Sequence, residues 1–107
     1  MASPKGLANA GIRYLPVAAT EYREQIVYYK AKAPGLGRQF GDAIKNAERL
    51  VLATPEGFAH VDDSTEIRAA VVRRFPFRLL YALRGGGILV VAVAHTARAP
   101  GQFLGRL

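Results

Sequence analysis

The C-terminal part of the chain constrains the fold most, because it holds three apolar segments of strand length separated by strong turn signals. The segments span residues 67–75, 77–84 and 88–95, with Pro76 at the first joint and three glycines, 85–87, at the second. Segments rich in Val, Leu, Ile and Phe predict β-strands, and the glycine run predicts a hairpin. The last segment is apolar on both faces, so we expect it to be a central strand.

Two helices are predicted before these strands. Apolar side chains recur every three or four residues within 18–33 and again within 38–54, which is typical of helices with one buried face. The two sets are Ala18, Tyr22, Ile26 and Tyr29, and Phe40, Ile44, Ala47 and Val51. The connecting residues 33–37, "APGLG", are short and rich in helix breakers. The pattern therefore predicts an antiparallel helical hairpin.

Residues 12–17, "IRYLPV", predict a short first strand, in which Pro16 either limits the strand or opens the following helix. The element order is then β-α-α-β-β-β. This order predicts an α+β fold in which a helical hairpin covers one face of a small, mainly antiparallel sheet. We expect residues 1–11 to be a flexible tail and 12–107 to be a single domain. Residues 96–107 are expected to form a short turn or tail anchored by Phe103 and Leu104.

Positive charge is concentrated in the sheet-forming segment. The net charge of the 107 residues is +7; residues 1–66 carry 8 Lys and Arg against 8 Asp and Glu, whereas residues 67–107 carry 7 arginines and no acid. Such asymmetry favours a polyanionic partner, either nucleic acid or an acidic protein segment. Arginine also suits two-pronged contacts with phosphate or carboxylate.

The predicted polyanion-binding residues are Arg73, Arg74, Arg78 and Arg84. We expect them to be unpaired and to lie on an exposed face of the sheet, opposite the helices. Adjacent strand residues point to opposite faces, so the sequence leaves open whether Arg73 or Arg74 shares a face with Arg78.

Several other classes of protein are excluded by composition. There is no Cys, and the longest apolar run, 88–94, is too short to span a bilayer. The glycine run lacks a following helix and the Lys-Ser/Thr pair of a phosphate-binding loop. His60, Asp62 and Asp63 lack the further ligands of a metal site. We therefore expect a cytoplasmic protein with no membrane association, no metal and no cofactor.

Several stretches together resemble the RelE/ParE superfamily, the toxins of type II toxin–antitoxin modules that are also called plasmid-stabilisation proteins. The resemblance covers residues 12–104 and rests on "EQIVYYKAKAPGLGRQFGDAI", "ATPEGF", "RRFPFRLLYAL" and "VVAVAHTARAP", in that order. It implies a small basic toxin held inactive by a cognate antitoxin in a hetero-oligomer. RelE-like members cut messenger RNA on the ribosome, whereas ParE-like members poison DNA gyrase and are not nucleases.

A RelE-like activity would make the chain a metal-independent endoribonuclease. Its catalytic residues would be Arg74, Arg78, His95 and Arg98. Arginines would stabilise the charged phosphorane, and a histidine is suited to proton transfer at neutral pH. However, Thr96 follows His95 where some nuclease members have Tyr. Glu66 is a weak candidate base, and Tyr81 is expected to be a packing residue.

We therefore favour a ParE-like toxin acting on gyrase. The alternatives are a RelE-like, ribosome-dependent endonuclease and a non-toxic basic module that binds nucleic acid or an antitoxin. Whether the chain is an enzyme depends on this choice. Under either toxin hypothesis Arg78→Ala is expected to lower toxicity more than Arg106→Ala, because Arg106 lies in the predicted tail.

Overall fold

The predicted order of elements is confirmed by a computed structural model, which describes residues 11–107. The elements are β1 (Ile12–Tyr14), α1 (Pro16–Lys32), α2 (Leu36–Ala53), β2 (Arg68–Val72), β3 (Phe77–Arg84), β4 (Gly87–His95) and a C-terminal 3-10 helix (Pro100–Arg106). The predicted tail, 1–11, lies outside the described residues except for Gly11, whose carbonyl accepts the Ile88 N–H at 2.6 Å. No helix within 11–107 is both long and apolar enough to cross a membrane.

The four strands form one sheet in the order β1-β4-β3-β2. β3 pairs with both β2 and β4 in antiparallel fashion, and β1 pairs with β4 in parallel. This confirms the mainly antiparallel sheet and the central position of β4. β2 ends at Val72, three residues earlier than predicted, because residues 73–76 form the turn into β3. Pro16 opens α1 rather than continuing β1.

The helical hairpin packs on one face of the sheet through the predicted apolar stripes. Phe40, Ile44 and Val51 of α2 are buried in one cluster with residues of all four strands, and the α1 stripe packs against it. The hairpin is tight: a Cβ at Gly37 would lie 2.9 Å from the Ile26 carbonyl oxygen. Only glycine allows the helices to approach this closely.

The opposite face of the sheet is not the open, arginine-lined surface that the sequence suggested. Ile67, Leu80, Val91 and Ala92 are buried there beneath Phe103 of the C-terminal 3-10 helix. Phe103 is therefore an anchor, as predicted, and it covers much of the face assigned to the arginines. A strand buried on both sides needs apolar residues at successive positions, which explains the unbroken apolar run of β4.

A β-bulge interrupts the pairing of β4 with β3. Leu80 lies opposite Ala92 and Tyr81 opposite Val90, so Val91 is the extra residue. Nearby, the Val91 carbonyl accepts a hydrogen bond from Arg106 Nη1 at 2.7 Å, and the Val93 N–H donates to Glu21 Oε1 at 3.0 Å. β1 has already ended at this level of β4, so these two side chains satisfy backbone groups that no strand reaches.

Tyr14 links the first strand to the second helix. Its hydroxyl donates to the Glu48 carboxylate, and its ring stacks on Tyr22 at a centroid distance of 5.8 Å. Burial, followed by the hydrogen bond and the charge of Glu48, raises the pKa of Tyr14 above the ordinary 10.0. The folded state therefore favours the protonated phenol. The resulting contribution to the free energy of unfolding is complete below pH 10 and is lost as the pH rises above it.

We expect the free energy of unfolding to decrease from about pH 10 upward, by roughly 1.4 kcal/mol per pH unit for Tyr14 alone. Thermal unfolding at intervals from about pH 8 to about pH 11 measures this decrease. The decrease should be shallower for Tyr14→Phe, which has no proton to lose, and should keep its wild-type steepness for the half-exposed control Tyr28→Phe. Equal steepness in all three proteins would contradict the assignment.

Candidate functional site

Three of the seven C-terminal arginines are held by partners within the fold. Arg68 Nη1 donates to the carbonyls of Glu56 and Phe58 at 3.0 and 2.7 Å, and so fastens the loop before β2. Arg84 forms an exposed ion pair with Glu66, and its hydrogen bond lowers the pKa of that carboxyl. Arg84 is thus paired, contrary to the expectation for it.

The third of these arginines, Arg106, is not a tail charge, and the placement predicted for it is wrong. Its guanidinium makes a two-pronged contact with Glu21 of α1, at 3.0 and 2.7 Å. The two side chains are only 22% and 23% exposed. Arg106 therefore fastens the C-terminal 3-10 helix to α1 and β4.

The other four arginines make no salt bridge or side-chain hydrogen bond with the described residues, and all four lie at one end of the sheet. We call Arg73, Arg74, Arg78 and Arg98 the basic end. Arg73 and Arg74 are exposed in the β2–β3 turn, and Arg98 is exposed in the turn after β4. The two turns are joined by the Thr96 N–H, which donates to the Pro76 carbonyl at 2.8 Å. Four arginines without a carboxylate partner among the described residues therefore lie at one end of the sheet, and their charge favours an anionic partner.

Arg78 lies on the face of the sheet opposite the helices. It pairs across the sheet with Val71 on β2 and Ala94 on β4, and Val71 is 63% exposed. The Nε of Arg78 is buried and has no hydrogen-bond partner among the described residues. A buried polar group of this kind is costly unless a partner satisfies it. Since Arg73 and Arg74 both lie in the turn, neither shares a strand face with Arg78.

His95 lies on the other face, towards the helices. It pairs with Phe77, and the two rings meet edge to face at a centroid distance of 5.2 Å. Its Nδ1 accepts the Ala97 N–H at 3.0 Å, so the neutral ring carries its proton on Nε2. The four predicted catalytic residues therefore share one end of the molecule, but the sheet separates His95 from Arg78.

His95 and Arg98 line a cleft between α1 and the end of β4, which we call the α1–β4 cleft. Its other walls include Glu24, Gln25 and Tyr28 of α1. Tyr28 is half exposed and stacks edge to face on Tyr29 at 5.2 Å. These α1 residues were missed by the sequence analysis. One signal was present: Tyr28 is a large aromatic residue outside the predicted apolar stripe.

Glu66 and Tyr81 lie away from the basic end. Glu66 is paired with Arg84 at the opposite end of β3. Tyr81 is fully buried, and its hydroxyl donates to the Pro55 carbonyl at 2.7 Å, which confirms it as a packing residue. In the part of the chain that the structure describes, His, Asp and Glu side chains form no group of three that could hold a metal ion.

A helical hairpin on a four-stranded, mainly antiparallel sheet defines the RelE/ParE-like class of α+β domains. Residues 12–100 match the family model for the ParE toxin of the type II toxin–antitoxin system parDE, and the chain belongs to this family. Among solved structures, the chain is similar to one from the chromosomal ParDE toxin–antitoxin system of P. aeruginosa, with 14% identity and a TM-score of 0.69. That match covers 79% of this chain and 94% of the other. No curated protein matches the sequence.

Membership in the family confirms the predicted RelE/ParE resemblance and the ParE-like branch. It also supports an antitoxin as a partner of the chain.

Proposed function

We propose that this ParE-like toxin inhibits growth by acting on DNA gyrase, and that a cognate antitoxin holds it inactive in the cytoplasm as a hetero-oligomer. The match of residues 12–100 to the ParE family carries the proposal. The separation of His95 from Arg78 supports a target other than RNA, because a general acid on one face of a sheet cannot serve a phosphate held on the other.

A RelE-like endonuclease is the second candidate, and one observation favours it. Arg74, Arg78 and Arg98 gather with His95 at one end of the molecule, as phosphorane stabilisation requires. Against it, Nδ1 of His95 is engaged as an acceptor, and Glu66 is held by Arg84 at the other end of β3. The third candidate is a binding module without toxicity.

The basic end is the proposed surface for the anionic partner. Arg73, Arg74 and Arg78 of the predicted set remain in it, and Arg98 joins them. Arg84 is not part of this surface, because it lies at the opposite end of β3 and its charge is balanced by Glu66.

Two parallel assays of the purified protein test the target. We expect the protein to inhibit supercoiling of relaxed plasmid by gyrase and to leave messenger RNA intact in a reconstituted translation reaction. Growth should stop when the toxin is expressed alone and resume when its cognate antitoxin is co-expressed. Codon-linked cuts in messenger RNA with normal supercoiling would overturn the gyrase proposal in favour of the endonuclease. Normal growth, with no effect in either assay, would leave the binding module.

A further inference from the structure

The outer edge of the sheet, formed by β2, is covered only along its first part. Residues 59–61 run antiparallel to the start of β2: the Val61 N–H donates to the Ile67 carbonyl at 2.8 Å, and the Ala69 N–H donates to the Ala59 carbonyl at 3.1 Å. C-terminal to these two bonds, no strand within residues 11–107 pairs with this edge, because β2 is the last strand in the order of the sheet. The rest of the edge therefore remains open to another chain.

The alternation of backbone groups along β2 shows which of them remain unpaired. Ile67 and Ala69 direct their groups outward, away from β3, as their bonds to residues 59–61 show. In an antiparallel ladder every second residue directs its groups to the same side, so Val71 also directs its groups outward. The Ala69 carbonyl and the Val71 N–H make no hydrogen bond within residues 11–107. Together they are the acceptor and the donor of one β-bridge centred on Ala70.

The side chains around this edge are apolar or positively charged. Val71 is exposed on the face opposite the helices, and Arg78 lies beside it on β3 with a buried Nε that has no partner among the described residues. Arg73 and Arg74 follow in the β2–β3 turn, and both are exposed. An unpaired edge beside such side chains is suited to strand addition, in which main-chain bonds supply affinity and side chains supply specificity. The charge favours an acidic occupant over a second copy of this chain, whose net charge is also +7.

We propose that the free edge of β2 at residues 69–71 receives an extended, acidic segment of the target protein, which adds a fifth strand to the sheet. This contact rests on the proposed action on gyrase and defines the surface of the toxin that makes it. A main-chain N–H of the segment donates to the Ala69 carbonyl, and a main-chain carbonyl accepts the Val71 N–H. An acidic side chain beyond this bridge contacts Arg73 or Arg74 in the turn. A nucleic acid contacts arginine through its phosphates, but its backbone has no N–H groups to pair with a strand edge.

Two substitutions at one position isolate the main-chain bond. Val71→Pro and Val71→Ala both remove the valine side chain, but only proline also removes the N–H. Proline is tolerated on an edge strand where the N–H points away from the sheet, so both variants are expected to fold. We expect Val71→Pro to bind purified gyrase at least about tenfold more weakly than Val71→Ala in calorimetry, and to need a correspondingly higher concentration to inhibit supercoiling. Equal affinity of the two variants would overturn the added strand.

Amide hydrogen exchange of the unmodified protein provides a second measurement that does not depend on the folding of a proline variant. We expect the Val71 amide to exchange at least about tenfold more slowly in the complex with gyrase than in the free toxin. Unchanged exchange would overturn the added strand. Protection already present in the free toxin, together with a dimeric mass by light scattering, would overturn it as well, since a second copy of the chain would then occupy the edge.

Failure of the added strand and failure of the proposed function give different results. If the unmodified protein inhibits gyrase while the Val71 amide stays unprotected in the complex, the gyrase proposal stands and only the added strand is wrong. If the unmodified protein neither binds gyrase nor inhibits supercoiling, the proposed function is wrong and the added strand is overturned with it.

Discussion

Arg106→Ala is expected to lower the free energy of unfolding by about 3 kcal/mol, which corresponds to a decrease in Tm of roughly 10–20 °C. The substitution leaves the Glu21 carboxylate largely buried without its cation, and it leaves the Val91 carbonyl without a donor. It also removes the guanidinium that lies 4.8 Å from the ring of Phe103, the anchor of the 3-10 helix. Three sources of stability are therefore lost together at one edge of β4.

Arg84→Ala is the matched control, because Arg84 is also an arginine paired with a glutamate, but both side chains are exposed, at 42% and 51%. Its loss should leave Tm unchanged within error. A double-mutant cycle of Glu21→Gln with Arg106→Ala, followed by thermal unfolding, isolates the pair from simple truncation. Equal stability of the Arg106 and Arg84 variants, or the absence of coupling in the cycle, would contradict a structural role for Arg106.

This result also changes how toxicity is to be tested. Comparing Arg78→Ala with Arg106→Ala would confuse loss of a contact surface with loss of folded protein. Controls for the basic end must come from arginines whose removal leaves the fold intact.

The helices and strands could be predicted from the sequence because their signals are local. Phe40, Ile44 and Val51 follow the helical period, and all three are buried where the period predicts. The end of β2 could not be predicted in this way. Residues 73–75 have a composition compatible with a strand, but Arg74 adopts a left-handed conformation, with φ of 73°, inside the turn.

The candidate site was predictable only in part, because it depends on contacts between residues far apart in sequence. Glu21 and Arg106 are separated by 85 positions, so nothing near Arg106 distinguished an anchor from a tail charge. The pairing of His95 with Phe77 decides which face of the sheet His95 occupies. The alternation of side chains along one strand does not specify this pairing, because it does not fix the register with the neighbouring strand. Composition did indicate the segment that supplies the basic end, since all four of its arginines lie in the segment with no acid.

Removing charge from the basic end should weaken toxicity more than removing the same charge elsewhere. We expect Arg73→Gln combined with Arg74→Gln to restore colony formation on toxin expression and to raise the concentration needed for half inhibition of gyrase by roughly 10- to 100-fold. Both side chains are exposed and lack partners among the described residues, so the loss falls on binding. Glutamine keeps a side chain of similar length at the turn without its charge.

Arg13→Gln combined with Arg84→Gln is the matched control, because it lowers the net charge from +7 to +5 as well. These two arginines lie at the opposite end of the sheet, where Arg13 approaches Gly85 next to Arg84 in the β3–β4 hairpin.

If overall charge alone attracted the target, the two double variants would lose toxicity equally, since long-range attraction depends mainly on net charge. A loss confined to the Arg73 and Arg74 variant would instead indicate short-range contacts made by the β2–β3 turn. Two charges at the far end of β3 contribute little to binding at that turn, because salt screens their attraction over a length of about 8 Å. The comparison therefore separates a defined binding surface from a merely basic protein, and equal loss in the two variants would exclude the surface.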